Sequence, residues 1–259
     1  MPHLKRFYCA NAVMGGKIIL DQPQSNHLKN VLRLKVHSMV EVFNSRNESF
    51  VAEVSAIPPK GGVELQISSP ENTGYSALRT PHSKLTDISL ACAIAKGSRM
   101  DWLVEKAAEI GLTRLIPIIT SRTVVKPDAL SKNKIARWHK LAVAAAKQTG
   151  QNSVMAIDNP IHFRQLETMV SNFSTSLIAV PNADKYLPEV LEKDNLTKNS
   201  NILYLIGPEG DFTKEEVATA IKWDIQPVRL PVNSILRVET AAITMLAMIL
   251  YHFTKEISK

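Results

Sequence analysis

The sequence predicts a chain in two parts: a small β-rich unit, then a larger α/β unit built on a mostly parallel sheet. Three observations predict this. Short runs of β-branched and aromatic residues, separated by turn residues, fill positions 1–67. A polar stretch holding Pro70, Gly74 and Pro81 interrupts the chain. From residue 87 onward, apolar runs of strand length alternate with segments of helical periodicity. The expected boundaries are 1–73 for the first domain, 74–84 for a linker and 85–259 for the second domain.

In the first part, strands are expected at 17–20, 39–44, 50–56 and 63–67. Breaker pairs Pro58–Pro59 and Gly61–Gly62 separate the last two. One helical patch runs through His27, Leu28, Val31 and Leu32, with Ser25 as its expected cap. Short strands with one helix suggest a small barrel or sandwich. In the second part, strands are expected at 87–95, 114–119, 177–180, 201–206 and 228–230. Helices are expected at 100–110, 131–147, 214–221 and 238–253. The last is apolar on more than one face, so packing on a sheet would leave surplus apolar surface for a partner. This predicts a homodimer.

Composition narrows the function. The 259 residues include 31 Lys and Arg against 24 Asp and Glu, a net charge of +7. The charge is uneven: residues 76–150 hold thirteen basic and five acidic groups, while 151–259 hold ten and thirteen. A basic block of this kind is the footprint of a polyanion such as nucleic acid. No apolar run is long enough for a transmembrane helix, and the N-terminus has no secretory pattern. Two cysteines, Cys9 and Cys92, fit a reducing cytoplasm and no disulfide framework. The glycines form neither a dinucleotide fingerprint nor a P-loop, and the histidines show no ligand spacing, so no metal site is expected.

Two C-terminal segments carry the chemistry. In LYLIGPEGDF (203–212) an apolar strand ends in a Gly-x-x-Gly turn, and Thr213 with Glu216 forms a capping box for the next helix. Ligands of open α/β sheets bind outside the carboxyl ends of strands, where such a turn offers backbone groups to a planar base. In LPVNSILRVETAAITML (230–246), Arg237 and Glu239 flank Val238 at the start of an apolar helix. Charges there either point into a site or form a salt bridge.

Together, IGPEG and SILRVETA resemble the C-terminal signature of the SPOUT, or trefoil-knotted, methyltransferases. The likeness is greatest to the bacterial 16S ribosomal RNA uracil N3-methyltransferase family, with its IGPEGGF and LGxRILRTETA. Three further blocks resemble it in order: HLKNVLRLKV (27–36), the run 93–125 and KLAVAAAKQTGQNSVMAI (140–157). The chain departs from the pattern at Asp211, where a second glycine is usual, and at Pro231–Val232, Ser234 and Val238. His37 also stands at a usual glycine.

The resemblance implies a PUA-like RNA-binding β-barrel, an α/β domain with a deep trefoil knot, a dimer, and S-adenosylmethionine as cofactor. Carried over, the cofactor positions are Ile206, Gly207, Pro208, Glu209, Gly210, Leu230, Ile235, Leu236, Arg237, Glu239 and Thr240. The implied reaction is methylation of N3 of a uridine in 16S rRNA of the small ribosomal subunit. Arg237 would stabilise the uracil anion, and Glu239 or Glu209 would remove its proton. Lys5, Arg6, His27, Lys29 and Arg33 of the first domain, with Lys96, Arg99, Arg122 and Lys126 of the second, are the expected RNA contacts. The alternative reading is a non-catalytic, RNA-binding ribosome assembly factor on the same fold.

Overall fold

The computed structural model describes residues 4–46, 48–68, 87–124, 132–193, 196–197 and 199–257. The linker expected at 74–84 and the RNA contact expected at Lys126 lie outside these residues. Contacts divide the chain into two compact units: Met1–Ser83 with Ala146–Val154, and Lys84–Ala145 with Met155–Lys259.

In the first unit, strands β1 (Arg6–Tyr8), β2 (Lys17–Ile19), β3 (Met39–Phe43), β4 (Ser49–Ala56) and β5 (Glu64–Ile67) form one sheet, in the order β1-β3-β4-β5-β2. Alternation places Val40, Val42, Ala52, Val54, Leu65 and Ile67 in one core with Phe7, Leu20 and Leu28. Helix α1 (Gln22–Asn26) continues as a π-helical turn, His27–Val31. The expected cap at Ser25 is corrected. Asp21 caps α1, its side chain accepting from the Gln24 N–H at 2.8 Å, with Pro23 in the first turn. Ser25 is fully buried instead; its hydroxyl donates to Leu20 O and accepts from the Val63 N–H, joining helix to sheet.

In the second unit, chain order is β6 (Ile88–Ala93), α2 (Arg99–Ile110), β7 (Arg114–Ile119), α3 (Lys132–Thr149), β8 (Ala156–Ile157), β9 (Ile161–His162), α4 (Glu167–Val170), β10 (Thr175–Ala179), α5 (Leu187–Lys193), β11 (Ile202–Ile206), α6 (Lys214–Lys222), β12 (Gln226–Val228) and α7 (Val238–Ile257). The last turn of α3 belongs to the first unit. The sheet order is β12-β10-β11-β6-β7-β8, with β9 also on β7. Every pairing in it is parallel. Central β6 and β11 are buried at every residue, as their largely apolar runs require, Ser89 of β6 being the polar exception. Gly111, at φ +114°, ends α2 in the left-handed conformation that glycine adopts freely. No helix among the described residues is long and apolar enough to cross a membrane.

Candidate active site

Because β10, β11 and β12 are parallel, the segments that follow them leave at one edge of the sheet. The two chemistry-bearing segments therefore emerge on either side of the end of β10.

The segment after β11 is built into the protein. Ile206, Gly207 and Pro208 are buried, while Glu209 and Gly210 are exposed. A Cβ on Gly207 would lie 3.0 Å from the Phe212 ring and 3.1 Å from its backbone nitrogen, so a side chain there would crowd Phe212. The Asp211 N–H donates to Pro208 O at 2.9 Å, closing the turn. Asp211 stands at φ +61°. This accounts for the departure from the family pattern: the backbone keeps the left-handed geometry that glycine supplies, and aspartate is among the few side chains that tolerate it. Its carboxylate accepts from the Phe212 N–H at 2.8 Å. Burial raises the Asp211 pKa, against the weaker lowering by that N–H and by Arg122. His37, the other residue at a usual glycine, likewise sits at φ +71°. The capping box is present, with Thr213 Oγ1 accepting from the Glu216 N–H and Glu216 Oε2 from the Thr213 N–H.

The segment after β12 is open. Residues 231–235 are exposed, Ile235 to 93%. Leu230 and Leu236 are half-buried. Arg237 is exposed, and its carbonyl accepts from the Ala241 N–H as α7 begins. Among the described residues no ion pair joins Arg237 to Glu239, so the salt-bridge reading of this pair is not what the chain forms. Glu239 is buried, and its Oε2 has no hydrogen-bond partner. Thr240 is exposed.

A buried side chain links β11 to α7, and another lies on the neighbouring strand. The Tyr204 hydroxyl, on β11, donates to Ala242 O of α7 at 3.1 Å. Cys92, near the end of β6, is fully buried. Burial pushes its thiol pKa up, and the carboxylates of Glu209 and Glu239 add to the rise. Glu209 is paired with Arg99 at 3.3 Å, whereas Glu239 Oε2 is unengaged.

The expected RNA contacts divide. Lys5, His27 and Arg33 are exposed in the first unit, as are Lys96 and Arg99 in the second. Arg6 is engaged inside the first unit. It pairs with Glu41 at 3.1 Å, donates to Ala146 O, Gln151 O and Asn152 Oδ1, and lies over the Phe43 ring. Lys29 donates to Pro58 O at 2.7 Å. Arg122 is exposed but donates to Gly210 O at 2.7 Å. Sequence reasoning missed Ser121 and Tyr204. The capping box pointed to Glu216, but nothing in the spacing announced that its other oxygen would reach Ser121. Among the described residues no group of three or more His, Cys, Asp or Glu is placed to hold a metal.

Comparison with known proteins agrees with this geometry. A family model described as an RNA methyltransferase domain matches residues 81–250, and one described as an RNA methyltransferase PUA domain matches residues 20–68. The chain is 29% identical to ribosomal RNA small subunit methyltransferase E of Mesomycoplasma hyopneumoniae, over 88% of this chain and 91% of that protein. It is 32% identical to the protein of the same name from Bacillus subtilis, over 63% and 65%. The structure of a ribosomal RNA small subunit methyltransferase E from Neisseria gonorrhoeae, bound to S-adenosylmethionine, superposes with a TM-score of 0.79 at 26% identity, covering 97% of this chain and 98% of that one.

Proposed function

The chain belongs to the RNA methyltransferase family, and from that premise we propose that it methylates N3 of a uridine in small-subunit ribosomal RNA, with S-adenosylmethionine as donor. The observation that carries the reading is the convergence at one sheet edge of a pre-built glycine turn and an open loop ending in Arg237 and a buried, unengaged Glu239.

S-adenosylmethionine fits these residues on two counts. Residues 209–210 and 231–235 are exposed, so a planar base can approach their backbone, and an orphaned buried carboxylate oxygen asks for a donor. Ile206 to Gly210 would hold one side of the cofactor, and Leu230, Ile235, Leu236, Arg237, Glu239 and Thr240 the other. When bound, the cofactor supplies an electrophilic methyl group on a sulfonium. Uracil N3 carries a proton and is a poor nucleophile. Glu239, unengaged at Oε2, accepts that proton; Glu209, paired with Arg99, is the lesser candidate. The exposed guanidinium of Arg237 stabilises the charge that spreads over the flanking carbonyl oxygens, with no proton change of its own.

Residues 1–73 bind RNA as a PUA-like domain, 74–84 link, and 85–259, apart from the 146–154 segment that belongs to the first unit, carry out transfer within a trefoil-knotted fold. Lys5, Arg33 and Lys96 are the exposed cationic candidates for phosphate, with His27 beside them and Arg99 paired with Glu209; Arg6 and Lys29 act structurally. The protein pairs as a homodimer through α7. Met245, Leu246 and Ile249 are fully buried, while Ile243, Ala247, Met248 and Tyr251 line an apolar groove with Pro188 and Leu191. A ribosomal substrate places the work in the cytoplasm.

The test is calorimetry with S-adenosylmethionine, then methylation of small-subunit RNA with the product nucleoside identified by mass. The reading expects 3-methyluridine. Cofactor-independent RNA binding without methyl transfer would favour the assembly-factor alternative. Sedimentation showing only monomer at micromolar concentration would remove the dimer.

A further inference from the structure

In the sheet, β6 lies between β7 and β11, and all three are parallel, so the loops that follow them leave side by side. Three contacts tie these loops. Arg99, at the start of α2, pairs with Glu209 at 3.3 Å. Glu216, only 8% exposed, accepts at Oε1 from the Ser121 N–H (2.8 Å) and hydroxyl (3.0 Å), while its Oε2 takes the Thr213 N–H. Arg122 Nη1 donates to Gly210 O at 2.7 Å. The Arg122 stem runs along the glycine, since a Cβ on Gly210 would lie 3.4 Å from its Cδ and 3.6 Å from its Cβ. The turn that carries Arg122 is itself closed: the Thr120 N–H donates to Thr123 Oγ1 at 2.9 Å, and the Thr123 N–H to Thr120 O at 3.2 Å.

We propose that Arg122 is a positioning residue for the cofactor turn: it fixes the 207–210 backbone through the Gly210 carbonyl, from a support that Glu216 and Ser121 hold in place. The inference rests on the reading of that turn as part of the cofactor site. It gives Arg122 a role distinct from phosphate contact. A charged donor on a backbone carbonyl is a strong, directional bond, and it acts on a turn whose shape is also set by the left-handed Asp211 next to it. With the arginine gone, the exposed Gly210 carbonyl is released to water and the turn loses its outer restraint. Each cofactor molecule must then restore that order on binding.

Calorimetry with S-adenosylmethionine in the absence of RNA tests this on the full chain. Arg122→Ala is expected to weaken cofactor binding about tenfold, the scale of one hydrogen bond to a charged group. Arg122→Lys should recover part of the loss, since an ammonium can reach one carbonyl but lacks the planar fork. In turnover, the KM for cofactor rises while kcat at saturating cofactor stays near that of the wild type. A merely structural arginine would lower the melting temperature without that split. Ser121→Ala, which removes one support and leaves the guanidinium, should shift cofactor affinity in the same direction by less, and it reads the effect should Arg122→Ala fail to fold. RNA binding is measured in parallel. An unchanged cofactor affinity, with RNA affinity lower and its log–log salt slope reduced by about one, identifies a phosphate contact and overturns the proposal. A wild-type protein that binds no S-adenosylmethionine overturns the cofactor reading itself.

Discussion

The two segments of the site leave the same sheet edge and are built in opposite ways. The turn after β11 is buried through Pro208, closed by its own backbone, capped by Thr213 and Glu216 and restrained by Arg122. The loop after β12 is exposed from Pro231 to Ile235, and ends in an exposed arginine and a buried carboxylate with a free oxygen. The difference separates two tasks. A rigid turn lowers the ordering cost of holding a cofactor. Polar groups left unengaged by the protein remain available to the reacting atoms, and leaving them so costs stability.

The comparison can be broken at either segment. The largest effects are expected in the open loop, at Glu239 and Arg237. As general base, Glu239→Gln should lower the single-turnover rate about 10²-fold or more. Cofactor affinity should fall by much less than the rate, because the amide oxygen still accepts a hydrogen bond, and the melting temperature should be equal or higher, because a buried unpartnered carboxylate becomes a neutral amide of the same shape. A lower melting temperature with a normal rate would make Glu239 a structural residue. Gly207→Ala comes next. Its Cβ meets the Phe212 ring and backbone at 3.0–3.1 Å, so Phe212 and the turn must give by a few tenths of an ångström. Overpacking of about 1–3 kcal/mol should weaken cofactor binding roughly five- to hundredfold, read by calorimetry.

Smaller effects sharpen the account of the turn. Asp211→Val places a β-branched residue at positive φ and should cost about 1–2 kcal/mol in urea unfolding, whereas Asp211→Gly should lie within about 1 kcal/mol of the wild type. Asp211 also predicts a pH dependence. Its raised pKa means the folded state holds the proton more tightly than the unfolded chain, so its ionisation costs stability as pH rises through the carboxylate range. Thermal melts should therefore show Asp211→Asn gaining on the wild type from acid to neutral pH. Least of all, Tyr204→Phe, losing one bond from β11 to α7, should cost about 0.5–1.5 kcal/mol.

Much of this was legible in the sequence. Helix α2 and strand β7 follow from period and punctuation, as does the capping box at Thr213. The two-residue strands β8 and β9 are too short for any alternation to register, and α5 opens on a Leu-Pro that reads locally as a break. Ser25 and Asp21 are both good caps by type, and only the fold tells which one the sheet has engaged. For the site, the residue types were readable but their engagements were not. Arg6, Lys29 and Arg122 look like any other cation in a basic run, and only tertiary contacts reveal that their donors are already taken by the protein.

The central claim is that the closed turn serves binding while the open loop, beyond its share of binding, supplies the chemistry, and Arg237→Ala tests it most directly. Cofactor affinity and single-turnover methylation of small-subunit RNA are measured on the same preparation. The account predicts a rate lowered about 10²–10³-fold, the loss expected for one preorganised electrostatic donor, with cofactor affinity changed much less. A normal single-turnover rate, or a loss confined to cofactor binding, would contradict it.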